Sequence, residues 1–155
     1  MSDQVPIRTM PSGVPGLDDI LGGGFPELSF NLIAGGPGCG KTTLGQQILF
    51  SNATPERRGI FFSVIGEPPI KMLRYQQQFS YFDIAKIGDS IRFVNLAHEV
   101  RDGGLATVLK RITNEVEGMS PAIVVVASFR SIFPAPHPAA LGQQRIQACL
   151  PDLAL

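Results

Sequence analysis

The sequence predicts an α/β fold with a mainly parallel sheet and helices on both faces, and three observations carry that reading. Short apolar runs alternate with helix-period segments from residue 28 to residue 127, as consecutive βαβ units do. The runs are apolar at successive positions, the pattern of parallel strands buried on both faces. A glycine-rich turn at Gly35, Gly36, Gly38 and Gly40 joins the first run to the first long helix. At 155 residues, the chain is long enough for one domain with a sizeable core and too short for two ordinary ones.

Residues 1–12 read as a flexible N-terminal segment. Ser12-Gly13-Val14-Pro15-Gly16 is a turn cluster, and 17–21 predicts a short helix that Gly22-Gly23-Gly24 stops. Residues 30–34 predict the first central strand. The helix after the glycines carries Leu44, Ile48 and Leu49 at helical spacing. A second strand is predicted over 59–65. Gly66-Glu67-Pro68-Pro69 then turns the chain into a helix over 69–80, because proline suits a first helical turn. Its stripe is Met72, Leu73, Gln76 and Phe79, imperfect at Gln76.

Residues 90–96 predict a third strand. The clearest amphipathic helix spans 104–117, with Leu105, Val108, Leu109, Ile112 and Val116 on one face. A fourth strand of nearly unbroken Ile and Val follows over 122–127. After residue 133 the alternation stops: Pro134, Pro136, Pro138 and Pro151 leave room for one weak helix over 141–150. Three segments follow from this: residues 1–12, a domain over 13–133, and an atypical proline-rich tail over 134–155. A frameshifted or truncated gene accounts for such a tail; the alternative is a native short variant whose tail covers the exposed sheet edge.

The chemistry is concentrated in Gly35-Gly36-Pro37-Gly38-Cys39-Gly40-Lys41-Thr42-Thr43, which contains the P-loop pattern of Gly35, four residues, then Gly40-Lys41-Thr42. Glycines let successive backbone N–H groups turn inward as an anion nest, and the helix start adds partial positive charge at the same point. Lys41 reaches β- and γ-phosphates, the Thr42 hydroxyl is the candidate Mg²⁺ ligand, and Thr43 lies beside the ligand. Hydrolysis needs two more groups: a carboxylate that supports the metal and one that orients water. Glu67, after the second strand, is the candidate for the latter role. The fourth strand ends in Ala127, which has no carboxylate for the former. Cys39, inside the loop, is a candidate for oxidation that would block nucleotide entry.

Composition narrows the partners. Thirteen basic and thirteen acidic residues give zero net charge, so there is no electrostatic footprint for nucleic acid and a mild bias to self-association. Cys39 and Cys149 form no metal-ligand pair, and a reduced chain is the simpler reading. His98 and His137 stand apart from other ligand types, and Arg74, Arg92 and Arg130 read as solvated. No secretory or membrane-spanning run is present, so a cytoplasmic location is expected.

Three stretches resemble KaiC-type ATPases, circadian-clock-protein relatives within the RecA superfamily. They are Ser12-Gly-Val-Pro-Gly-Leu-Asp-Asp-Ile-Leu-Gly-Gly-Gly-Phe-Pro26, Ile33-Ala-Gly-Gly-Pro-Gly-Cys-Gly-Lys-Thr-Thr43 and Val124-Val-Val-Ala-Ser-Phe-Arg130. The segment 59–79, with Glu67-Pro68-Pro69, is also similar, and the likeness runs over residues 9–133. The resemblance implies a RecA-like P-loop domain that binds ATP and Mg²⁺ between subunits of a homo-oligomeric ring and hydrolyses it slowly. A non-hydrolysing nucleotide-dependent interaction module, or a truncated or frameshifted pseudo-ATPase, is the rival expectation. The chain departs from the family in three places. Gly66 replaces the first of two adjacent glutamates, Ala127 stands where the family has the metal-supporting Asp, and the family's later strands are not continued in this chain.

Overall fold

The computed structural model describes residues 7–64 and 69–128. In chain order the elements are β1 (Thr9–Met10), α1 (Leu17–Ile20), β2 (Phe25–Pro26), α2 (Lys41–Asn52) and β3 (Gly59–Ser63). They continue with α3 (Pro69–Gln76), a 3₁₀ turn at Ile84–Lys86, β4 (Ile91–Asn95), α4 (Ala97–Met119) and β5 (Ile123–Ala127).

β3 lies between β4 and β5, and all three strands run parallel. Ser63 is level with Asn95 on one side and with Ala127 on the other, so the carboxyl ends of the strands form one edge. Parallel neighbours need crossover connections; α3 lies between β3 and β4 in sequence, and α4 between β4 and β5.

The two-residue period of the strands sorts their side chains into two cores, one on each face. Ile60 and Phe62 of β3 pack with Val94, Leu96 and the Val108, Ile112 and Met119 stripe of α4. Phe61 points the other way, into Leu49, Phe50 and Ala53 at the α2 end, with Ile91 and Ile123 beside it. Phe61 and Phe62 are both fully buried, each contributing about 1.5–3 kcal/mol of transfer free energy. Helices therefore cover both faces of a parallel sheet, as the sequence predicts.

One predicted strand is not observed. Residues 30–34 join no sheet, and Leu28, Phe30 and Leu32 are exposed. A strand is defined by its ladder, and apolar side chains do not supply a partner. Among the described residues, β5 pairs only with β3, and residues 30–34 pair with neither of them.

Other boundaries shift for local reasons. The helix predicted over 69–80 ends at Gln76 in tightening turns, with Phe79 N donating to Gln76 O at 3.0 Å. The helix predicted from residue 104 is preceded by a further helical piece, and the two meet at Gly104 with φ 66° and ψ −168°. Only glycine adopts that conformation without strain. The end of the N-terminal segment is pinned: Thr9 and Met10 pair antiparallel with Pro26 and Phe25.

Candidate functional site

The predicted phosphate loop lies at the carboxyl edge of the sheet, carried by the start of α2. That helix is seated by apolar contacts, with Leu49 and Phe50 in the Phe61 core. Gly45 comes so close to β5 that a Cβ there would lie 3.1 Å from Val125 Cγ1. The loop itself, Gly35 to Gly40, is solvent-exposed, and so is Thr42.

Local chemistry leaves the helix start open to an anion. The N-cap is Gly40, left-handed at φ 86° and ψ 12°, and no side chain caps the first N–H groups. Gly38 also has positive φ, 75°. The first turn holds no acidic residue, although Asp and Glu are favoured there by the helix dipole. The partial positive charge is therefore left unneutralised by the chain.

Lys41 adds a full charge at the same point. Its Nζ donates to the carbonyls of Gly35 at 3.0 Å and Gly36 at 2.7 Å, and lies 3.6 Å from the Cys39 Sγ. All three donors of the ammonium are thus engaged by the loop, which holds the side chain folded over the glycines. Gly35, Gly36, Cys39 and Lys41 are brought together. Pro37, Thr42 and Thr43 join them by continuity of the loop and the first helical turn.

The residues expected to complete catalysis are differently placed. Glu67 lies outside the described residues, as do Arg130, His137, Cys149 and the tail 134–155. Ala127 packs against the Phe61 core, and its carbonyl accepts from Val64 N at 2.8 Å. It offers no carboxylate to a metal. Of the described residues, the one expected to meet Mg²⁺ is Thr42, whose exposed hydroxyl is a single neutral oxygen. That donor set fits an ion carried mainly by phosphates and water, as Mg²⁺ usually is, and does not fit a dedicated protein cage. No group of three or more metal-ligating side chains occurs among the described residues.

Two details were missed by sequence reasoning. His98 does have a carboxylate at helical spacing: its Nδ1 lies 3.1 Å from Asp102 Oδ2. Hydrogen bonds with His98 and Arg101 hold the Asp102 carboxyl below its ordinary range. The cluster is exposed and has two metal-ligating groups, too few for a metal site. The second detail is the amide of Gln46. This residue is 0% exposed in α2, donates from Nε2 to Met72 Sδ at 3.1 Å, and has an Oε1 with no partner among the described residues. Its position four residues after Thr42 was the available signal. Gln76, the flaw in the predicted stripe, is buried and accepts a hydrogen bond from the Tyr81 hydroxyl. Burial raises that phenol to a pKa of about 12. Arg92 pairs with Glu115 at 3.0 Å, which places it on the α4 side, away from the loop.

Comparison with known proteins agrees with this architecture. The model of a family described as "ATPase: KaiC" matches residues 10–145. The chain is 36% identical over 98 residues to a UPF0273 protein of Saccharolobus solfataricus, covering 63% of this chain and 34% of that protein. It is 38% identical over 100 residues to a UPF0273 protein of Pyrobaculum aerophilum, covering 64% and 34%. The chain thus spans about a third of the length of these curated relatives. Among solved structures, it is similar to a KaiC-like protein of Pyrococcus horikoshii, with a TM-score of 0.72 and 26% identity, over 92% of this chain and 65% of that one. No helix among the described residues is long and apolar enough to cross a membrane.

Proposed function

The chain belongs to the KaiC ATPase family, and from that premise we propose that it binds Mg-ATP through residues 35–43 and turns it over slowly. The observation that carries this reading is the pairing of an uncapped, acid-free α2 start with Lys41 Nζ held over the glycines. A phosphate seated there meets backbone N–H groups, the helix dipole and an ammonium together. In this reading Gly35, Gly36, Pro37, Gly38, Cys39 and Gly40 form the cradle, Lys41 binds the β- and γ-phosphates, and Thr42 completes the Mg²⁺ shell with Thr43 beside it. When bound, Mg²⁺ would supply charge neutralisation at the phosphates. Glu67 orients the attacking water. Residues 13–133 are the nucleotide unit, flanked by the 1–12 segment and the 134–155 tail, and ATP sits between subunits of a homo-oligomeric ring.

Ala127 favours a second reading, in which nucleotide is held as a switch without hydrolysis. A missing charge-assisted hydrogen bond is worth roughly 1.5–3 kcal/mol, which is roughly 10- to 150-fold in rate if it acts in the transition state. Titration of the chain with a fluorescent ATP analogue and Mg²⁺, alongside phosphate release, separates the two. Binding with release supports the ATPase, binding without release supports the switch, and no binding rejects both.

A further inference from the structure

We infer that Gln46 is a positioning residue that couples the phosphate cradle at the start of α2 to α3, so that an anion seated on the cradle displaces α3. The inference rests on the phosphate reading of residues 35–43 and adds a route by which the rest of the molecule senses occupancy.

Gln46 is a polar side chain where an apolar one would pack. Its helical neighbours Ile48, Leu49 and Phe50 are all buried core, and it is itself 0% exposed. The amide is only half served: Nε2–H is given to a thioether, a weak acceptor, and Oε1 has no partner among the described residues. A stability device would be fully satisfied or simply apolar. What the amide does provide is a directional contact between two helices. Gln46 lies four residues after Thr42, on the same helical face and one turn deeper. Met72, its partner, is in α3 (Pro69–Gln76).

The far end of α3 is linked to α2 through the residue Tyr81 beyond it. Gln76 accepts from the Tyr81 hydroxyl, and the Tyr81 ring lies 6.0 Å from that of Phe50 in α2. α3 thus touches α2 directly at Met72, and its last residue is tied to α2 indirectly, through the Tyr81 ring that follows the helix. An anion on the cradle draws Lys41 from the Gly35 and Gly36 carbonyls and loads the first turn of α2. Because a helix moves as a unit, that load reaches Gln46 directly. A differential contact of this kind is what a ligand requires to shift a neighbouring element.

The sequence supplies the probe. The chain contains no tryptophan and two tyrosines, Tyr75 within α3 and Tyr81 bonded to its last residue. Tyrosine emission therefore reports on α3. The full chain is titrated with Mg²⁺ and inorganic triphosphate, which does not absorb in the tyrosine band, while calorimetry measures binding independently. The wild type is expected to bind and to change its emission with the same midpoint. Gln46→Leu and the volume-conserving Met72→Leu should bind within about threefold of wild type and lose the emission change. The double variant should show no further effect. If Gln46→Leu does not fold, Met72→Leu carries the test alone. A folded variant that binds and keeps the full emission change overturns the coupling, as does a wild type that binds silently. A calorimetric blank in the wild type instead removes the phosphate reading itself, and the coupling with it.

Discussion

Lys41 holds two backbone carbonyls with one ammonium, so its removal separates binding from stability. The loop is exposed, and Lys41→Ala should change stability by no more than about 0.5 kcal/mol in urea unfolding. The same substitution removes a charge-assisted contact to phosphate, and calorimetry should read a Mg-ATP affinity lower by about 10- to 150-fold. Ala127 gives the converse prediction. It ends β5 level with Ser63, at the position where the family resemblance expects the metal-supporting Asp. Ala127→Asp should raise phosphate release by roughly 10- to 150-fold if that carboxylate acts in the transition state. An unchanged rate would mean that the alanine does not limit turnover. Both outcomes turn on single side chains whose types were legible in the sequence. The fold-back of Lys41 onto Gly35 and Gly36 was not, because it depends on three-dimensional closure of the loop.

At the level of elements, what the sequence reveals depends on where each element finds its partners. β3, β4, β5 and the 105–119 part of α4 bury their own periodic side chains, so their patterns named them. The 30–34 run has the same composition but no ladder, and composition cannot report a neighbour. The first piece of α4, Ala97 to Gly103, is polar and ends in glycine, so periodicity missed it. Gly104 marks the joint with a conformation, φ 66° and ψ −168°, that a Cβ disfavours by about 1–3 kcal/mol. Gly104→Ala should destabilise by about that amount, although a Cβ there would meet no atom within 4 Å; a loss in urea midpoint at unchanged slope would show it. The α3 end offers a pH prediction. Tyr81 is raised from 10.0 to about 12 by burial, so the folded state keeps its proton after the unfolded chain has lost it. Its contribution is complete below pH 10, and is lost as the pH rises from 10 to about 12. Tyr81→Phe should flatten the stability profile in that window, and should cost about 1 kcal/mol at neutral pH from the bond to Gln76.

For the molecule as a whole, the two cores lie on opposite faces of one sheet, while the cradle sits at the sheet's carboxyl edge on the helix that roofs one core. Nucleotide binding as proposed at that edge would be linked to global unfolding, because α2 carries both Lys41 and the buried Leu49 and Phe50. A ligand that binds only the folded state at a hundred times its Kd adds about 2.7 kcal/mol. For a chain of this size each kcal/mol moves Tm by about 2–4 °C. Saturating Mg-ATP should therefore raise Tm by roughly 5–11 °C by mass action alone. Lys41→Ala, at the same nucleotide concentration, should lose most of that rise. Gln46→Leu should keep it, because its proposed role is to transmit occupancy rather than to create it. A scan in which Gln46→Leu and Lys41→Ala lose the shift equally would place Gln46 in the binding site and not between the site and α3.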